Sequence, residues 1–446
     1  MKKFLAIIAV LALTVISTAA MAEVTVSGSI DIRSLSLNNT SDFSSKATDN
    51  QRTTQERIRI NVDAKNDNVK GRVTFENDWE IWATQTRTDP SGAPLSGLKT
   101  GVEARPGQAT NVNKFGFREA WIDFTLPGAS PAHLKVGHQF LQLGNGWFFR
   151  SNKYGSDAWL VGLPGKNTIA FVNVKAWEGT STQNDDIDTY VLLDNYKIDD
   201  TKTVGVYVAH TMDRRNQLFG GKFGLGTTGT EATFDNIGLW FNGKLGALNL
   251  QAEFDVQMGK AKGASGAPDS KFKGNQIVIQ GNMPIGAAAV NFLIGRGTGQ
   301  DVNSTSNDFE SYIPLLDADP HYTVVYEYFS PTACTTNGSI VTGGMKNTGF
   351  CNTTALGIGG SMAITKWLTT DLNLFYLQAT EKLSDQRGGT TDELGTEIDL
   401  VLKFKLYDQL TWNWQIARLM PGKAYQGATT DADDMDAIQG ILSYKF

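Results

Sequence analysis

Amphipathic segments of about ten residues recur along this chain, and the connections between them alternate between two kinds. Very short links such as Gly246-Ala247, Pro284-Ile285-Gly286, Lys366-Trp367 and Tyr407-Asp408-Gln409 join segments into pairs. Long polar stretches at 212–233, 259–273, 331–353, 380–393 and 421–435 separate the pairs. Within one segment, Leu248, Leu250, Ala252, Phe254 and Val256 alternate with Asn249, Gln251, Glu253, Asp255 and Gln257. A strand sends successive side chains to opposite faces, so one face is apolar and the other polar or charged. Soluble β-sandwiches also use hairpins, but they do not sort short turns to one end and long loops to the other. A barrel whose strands span a membrane does both, with tilted strands of this length. The pattern predicts an all-β fold: a single antiparallel transmembrane β-barrel with short periplasmic turns and long extracellular loops.

The N-terminus agrees with export. Lys2 and Lys3 precede an apolar run from Phe4 to Ile16, and Ala20-Met21-Ala22 is a small-x-small site before Glu23. The run is short for a spanning helix, so residues 1–22 read as a cleaved signal peptide and 23–446 as the barrel domain. Without the signal the chain carries 38 basic and 46 acidic residues, a net charge of −8. An acidic chain without a basic stripe is no nucleic-acid binder. No apolar run after residue 22 is long enough for a membrane helix, yet the chain holds 23 Phe, 12 Tyr, 10 Trp and 46 Gly. Aromatic girdles at the membrane interfaces account for such a composition. The only cysteines, Cys334 and Cys351, form an even pair in an exported chain, which suggests one disulfide worth about 3 kcal/mol. No spacing suited to a metal, haem or other cofactor occurs among them and the four histidines.

Orientation constrains the strand count. Both ends of the chain belong on the short-turn side, so every long connection must fall on the other. The clear strands number eighteen, but 131–143 and 167–177 would then run the same way, as would 288–297 and 321–330. A strand at 156–163 repairs the first conflict. A crossing at 309–316 would repair the second, although Pro314 interrupts it. The alternative is that such stretches fold inside the pore. The expected count is therefore 18 or 20.

Lipid cannot satisfy polar groups, so the polar faces must line a lumen, and a charge turned to lipid at mid-depth costs about 2–4 kcal/mol. The pore-lining candidates are Arg57, Arg59, Arg72, Arg118, Lys135, Lys175, Lys403 and Lys405 on the basic side. Glu76, Glu119, Asp123, Glu253, Asp255, Glu397 and Asp399 are the acidic ones. A barrel this wide leaves an aqueous channel, and charges on its wall set selectivity. Trp147, Phe148, Phe149 and Arg150 sit in an aromatic-rich stretch that either folds inward as a constriction or forms an outer-rim girdle. By alternation, His138 shares the outward face with Leu134 and Val136.

Two resemblances add to this reading. A terminal aromatic closing an alternating strand, here Tyr444 and Phe446 after Ile438 and Leu442, resembles the assembly signature of bacterial outer-membrane β-barrels. It implies recognition by the β-barrel assembly machinery. The hairpin Phe117-Arg-Glu-Ala-Trp-Ile-Asp-Phe124 and Leu134-Lys-Val-Gly-His-Gln139, with its Gly-rich sequel to Trp147, resembles porins of the broad alginate-export and related Gram-negative group. The resemblance implies a porin in the outer membrane, and porins of this size commonly form homotrimers. His138 stands where that pattern has Arg, and the mixed inner faces do not suit export of a polyanion.

The expected function is a water-filled channel for passive diffusion of small hydrophilic solutes and ions, with outer-membrane lipid around it. Alternatives are a substrate-selective channel, a polysaccharide exporter, or a structural barrel sheath. A barrel hydrolase would need a nucleophile beside a wall histidine. His210, with Asp213 following, is the only candidate, and no triad accompanies it.

Overall fold

A computed structural model of the chain describes residues 23–40, 43, 50–81, 116–128, 131–152, 155–178, 184–214, 229–263, 268–315, 322–332, 340–345 and 349–446. The expected signal peptide lies outside these residues, as does Cys334. Eighteen strands form one antiparallel barrel. They are β1 (Glu23–Asn38), β2 (Gln51–Lys65), β3 (Val69–Ile81), β4 (Gly116–Thr125), β5 (His133–Gln139) and β6 (Ser156–Leu163). Next come β7 (Asn167–Trp177), β8 (Ile187–Asp199), β9 (Lys202–Asp213), β10 (Gly229–Leu245), β11 (Leu248–Gly263) and β12 (Asn275–Ile285). The ring continues with β13 (Ala288–Gly297), β14 (Thr354–Thr365), β15 (Leu368–Ser384), β16 (Thr390–Lys405), β17 (Leu410–Pro421) and β18 (Met435–Lys445). Each strand pairs with the next, and β18 returns to β1 in a register from Ser29 opposite Lys445 to Asn38 opposite Asp436. Closure leaves the wall without an edge, so its backbone groups are paired around the ring.

The seam is tight at its end. Gly28 N donates to Phe446 O at 2.9 Å and Phe446 N donates to Gly28 O at 3.1 Å. A side chain on Gly28 would bring its Cβ within 2.6 Å of the Phe446 ring. The short turns follow their chemistry. Asn66 Oδ1 accepts the N–H groups of Asn68 and Val69 between β2 and β3. Gly246 and Gly286 both take φ +63°, which two-residue hairpin turns require.

The outer face is apolar, with Val26, Phe117, Leu192, Leu239, Ile358 and Leu372 all more than half exposed. Near the short-turn end Trp367, Phe404 and Trp412 stack in a row, with centroids 5.9 and 6.0 Å apart. Tyr444 stacks on Phe446 at 6.2 Å, so the terminal aromatics join this girdle. His138 faces outward and meets Asp157 at 2.8 Å. His210 also lies on the outward face, with Val206 and Val208, and pairs with Asp235 at 2.6 Å rather than with Asp213.

Three local expectations meet the structure differently. The strand at 156–163 is present as β6. The stretch 309–315 does not cross the wall, and 322–329 is no strand but a run of tight turns, so the count is 18 and not 20. Both fold into the lumen, where apolar side chains find partners other than lipid. The polar stretch 380–393 is not a long loop. β15 and β16 run on through it and are joined by a turn in which Asp385 Oδ1 accepts the N–H groups of Arg387 and Gly389. Cys351 is fully buried, and the disulfide expected of it is not supported among the described residues, since Cys334 lies outside them.

Candidate functional site

The buried apolar core of this protein lies inside the barrel. Three segments leave the wall and fold inward, and polar side chains of the wall hold each of them.

The first, 140–152, is a small hairpin between β5 and β6. Leu143 N donates to Phe149 O at 3.1 Å and Ser151 N to Leu141 O at 2.9 Å. Its tip presses against the wall through Gly144 at φ +54°, a conformation that suits glycine. A Cβ there would stand 2.6 Å from Glu253 Oε2. The Glu253 carboxylate, on β11, accepts the N–H groups of Asn145 at 2.5 Å and Phe148 at 3.3 Å. Asn145 Nδ2 in turn donates to the wall carbonyls of Ala252 (2.8 Å) and Phe241 (3.2 Å). Phe148 is fully buried between Tyr207 and Phe234, with centroids at 6.0 and 6.3 Å.

The second segment, 298–315, is clamped by one side chain. Gln257 Oε1 accepts Ile313 N at 2.9 Å while its Nε2 donates to Ile313 O at 2.7 Å. Leu315 N donates to Phe148 O at 2.9 Å, which ties this segment to the first. Phe309 packs on Phe272 at 5.1 Å. Tyr312 is fully buried. Burial and the nearby Asp255 and Glu253 carboxylates raise its phenol well above the ordinary value, so it stays neutral.

The third segment, 322–332, repeats the device of the first. The Glu397 carboxylate on β16 accepts the N–H groups of Val324, Val325 and Tyr326, each at 2.7 Å. Successive N–H groups converging on one carboxylate form a nest of positive potential. Thr323 Oγ1 accepts Glu327 N at 3.1 Å, and Tyr326 shares a 2.6 Å hydrogen bond with Thr353. Tyr322 stacks on Phe350 at 4.8 Å, and Trp147 of the first segment meets Phe350 at 5.0 Å. The three segments therefore make one packed body across the lumen.

The remaining candidates line two regions. On β1–β5 the wall is a carpet of paired charges. Arg57 meets Asp31 at 2.9 Å, and Arg59 and Arg118 both bond Glu76. Arg72 reaches Asp63 at 2.7 Å and Glu119 at 3.7 Å. The Lys135 ammonium lies 4.1 Å over the Trp121 ring, and Asp123 lies 3.6 Å from His133. Elsewhere Lys175 pairs with Asp186 (3.1 Å) and Asp188 (3.0 Å). Lys403 pairs with Asp371 at 2.5 Å, and Lys405 with Asp408 at 2.8 Å. Glu253, Asp255, Glu397 and Asp399 are buried beneath the inner segments and do not face open water. Trp147, Phe148 and Phe149 lie inside the barrel as packed core, with no outer-rim role and no exposed aromatic track. The Arg150 Nε beside them is buried without a hydrogen-bond partner among the described residues.

Sequence reasoning passes over several members of this arrangement. Arg33 and Arg57 both lie over the Trp79 ring, at 4.0 and 4.3 Å from its centroid. Gln257 and Tyr322 carry no local signal, because their partners lie 56 residues away or in another segment. The outward-facing wall acids Asp157 and Asp235, which meet His138 and His210, are likewise absent from the sequence reading.

No protein-family model matches this chain, and no curated protein matches it by sequence. Solved structures do match in shape. The chain is similar to Pseudomonas aeruginosa OccK11 (OpdR), with 10% identity, 94% of this chain and 96% of that chain covered, and a TM-score of 0.52. It is similar to a BenF-like porin from Pseudomonas fluorescens Pf-5, with 11% identity, 96% and 100% covered, and a TM-score of 0.56. It is also similar to Pseudomonas aeruginosa OpdK solved with vanillate, with 10% identity, 94% and 98% covered, and a TM-score of 0.53. The neighbours named are OccK-type and BenF-like porins, and they lend no support to the alginate-export resemblance. At such identities the similarity shows the fold alone: an 18-stranded antiparallel barrel of the shape these porins have.

Proposed function

We propose that the protein is an outer-membrane channel that passes small hydrophilic solutes selectively, by passive diffusion through a narrowed lumen. One observation carries this reading. Three inner segments cross a barrel wide enough for a water-filled pore, and buried wall groups (Glu253, Gln257 and Glu397) fix them in place. A general pore gains nothing from such an investment of buried polar contacts, whereas a selective one needs a rigid, shaped constriction. The presence of vanillate in the OpdK structure supports solute binding in barrels of this shape. The present chain need not share that solute, because four arginines on β1–β5 (Arg57, Arg59, Arg72 and Arg118) are already paired with carboxylates. The same pairing, together with the net acidic chain, disfavours export of an anionic polysaccharide. Nothing in this reading depends on the expected homotrimer, since one chain closes its own barrel.

Planar-bilayer recording tests the proposal. The folded protein should give small, discrete conductance steps whose block by solutes depends on their chemistry. Large ohmic steps indifferent to solute chemistry would refute selectivity, and absence of steps from folded protein would refute the channel.

A further inference from the structure

The lumen wall opposite the charged carpet is chemically different. On β10–β15, toward the short turns, the wall and Tyr322 line an open-sided cavity of about 440 Å³. Seven carboxamide side chains line it, and among the described residues no Asp, Glu, Lys or Arg does, in a chain that holds 86 such residues. The carboxamides form a ladder across neighbouring strands. Gln280 Nε2 donates to Gln251 Oε1 at 2.5 Å, and Asn282 Nδ2 donates to Asn291 Oδ1 at 2.6 Å. Asn249 and Asn282 approach only to 3.5 Å. Each carboxamide offers two N–H donors and two lone pairs, so the ladder leaves most of its hydrogen-bonding capacity for a solute or water. Tyr322 contributes an aromatic side held at 4.8 Å on Phe350 and 6.4 Å from Phe375. Its hydroxyl is buried without a hydrogen-bond partner among the described residues.

We propose that this cavity binds a neutral saccharide on its way through the lumen. The inference rests on the channel reading above and names the solute class of that channel. Sugar hydroxyls both donate and accept, as carboxamides do, whereas carboxylates only accept and ammonium groups only donate. An ion entering the cavity would shed water and meet no counter-charge in its described lining, which penalises charged solutes. The C–H faces of a pyranose suit the side of an aromatic ring, and a few convergent polar groups around an apolar surface are how small-molecule sites fix orientation. The volume falls in the range of such sites and suits a mono- or disaccharide.

The test uses the full mature chain in planar bilayers, with maltose, benzoate and a polyethylene glycol of maltose size as probes. Maltose should block the current saturably, while the glycol and benzoate should not. Gln280→Leu and Asn282→Leu, each normalised to its own sugar-free conductance, should raise the half-blocking maltose concentration roughly threefold to tenfold, the loss expected of one neutral hydrogen bond. Heat-modifiable migration on gels establishes that each variant is folded. Equal, unsaturating block by maltose and glycol would overturn the proposal, as would unchanged half-blocking concentrations in both variants. Protein that is folded but passes no current would refute the channel reading instead. Calorimetric titration of maltose into the detergent-solubilised protein then decides the site by itself, with absence of saturable heat overturning it.

Discussion

Removing the Glu397 carboxylate should unlatch the third inner segment without unfolding the barrel. Three backbone N–H groups converge on it at 2.7 Å each. Hydrogen bonds to charged acceptors contribute about 1.5–3 kcal/mol each, but the three share one acceptor and are not additive. A net latch of about 3–4 kcal/mol is a reasonable order of magnitude on that basis. A loss of that size shifts the closed-to-open ratio of the segment by roughly two to three decades. The wall itself should persist, because β16 keeps its backbone ladders to β15 and β17. Glu397→Gln retains one carbonyl acceptor and turns a donor toward the remaining N–H groups, so it should be intermediate, while Glu397→Leu removes every acceptor. Single-channel recording should show larger mean conductance and more open-channel noise in the order wild type, Gln, Leu. Limited proteolysis should cut within 322–332 in the same order. If folded Glu397→Leu gives the conductance, noise and proteolytic pattern of the wild type, the latch has no mechanical role and the reasoning fails.

Other perturbations follow from the same geometry. Gly144→Ala should loosen the first inner hairpin by about 1–3 kcal/mol, since its φ of +54° and the 2.6 Å approach to a Glu253 held by two N–H groups leave no room for Cβ; faster proteolysis at 140–152 would show it. Phe148→Ala empties a fully buried site between Tyr207 and Phe234 and should cost about 3–5 kcal/mol, read as noisier channels with the β-barrel circular dichroism intact. Deleting Phe446 removes both seam hydrogen bonds to Gly28 and the terminal girdle aromatic. The yield of protein in the outer membrane should fall more than the conductance of the molecules that assemble; equal loss of both would contradict a role in assembly.

The wall of this protein is legible in its sequence because lipid and lumen impose a strict alternation on every strand. Leu248 through Val256 shows it plainly, and even β6, only eight residues long, is recovered from orientation alone. The inner segments are not legible in the same way. Residues 322–329 read Tyr-Thr-Val-Val-Tyr-Glu-Tyr-Phe, a composition suited to a strand, yet they turn tightly inside the barrel. Their burial is supplied by Trp147, Phe350 and Phe375, and their N–H groups go to a residue more than 70 positions away. Glu253 and Glu397 look like solvated lumen acids by local pattern. Only the long-range fold shows that each is a mooring point for backbone.

The two unlike walls face each other. β3 and β12 are nine strands apart in a ring of eighteen, so the charged carpet and the carboxamide ladder lie across a diameter. The carpet's ion pairs nearly cancel in net charge, yet each leaves an oriented dipole, and the described lining of the cavity opposite contributes amide dipoles. In the proposed channel, a molecule in transit would meet a transverse field that acts on its own dipole moment as well as on its total charge. On the proposed channel reading, solutes of equal size and charge would then differ in how readily they rotate into the passage.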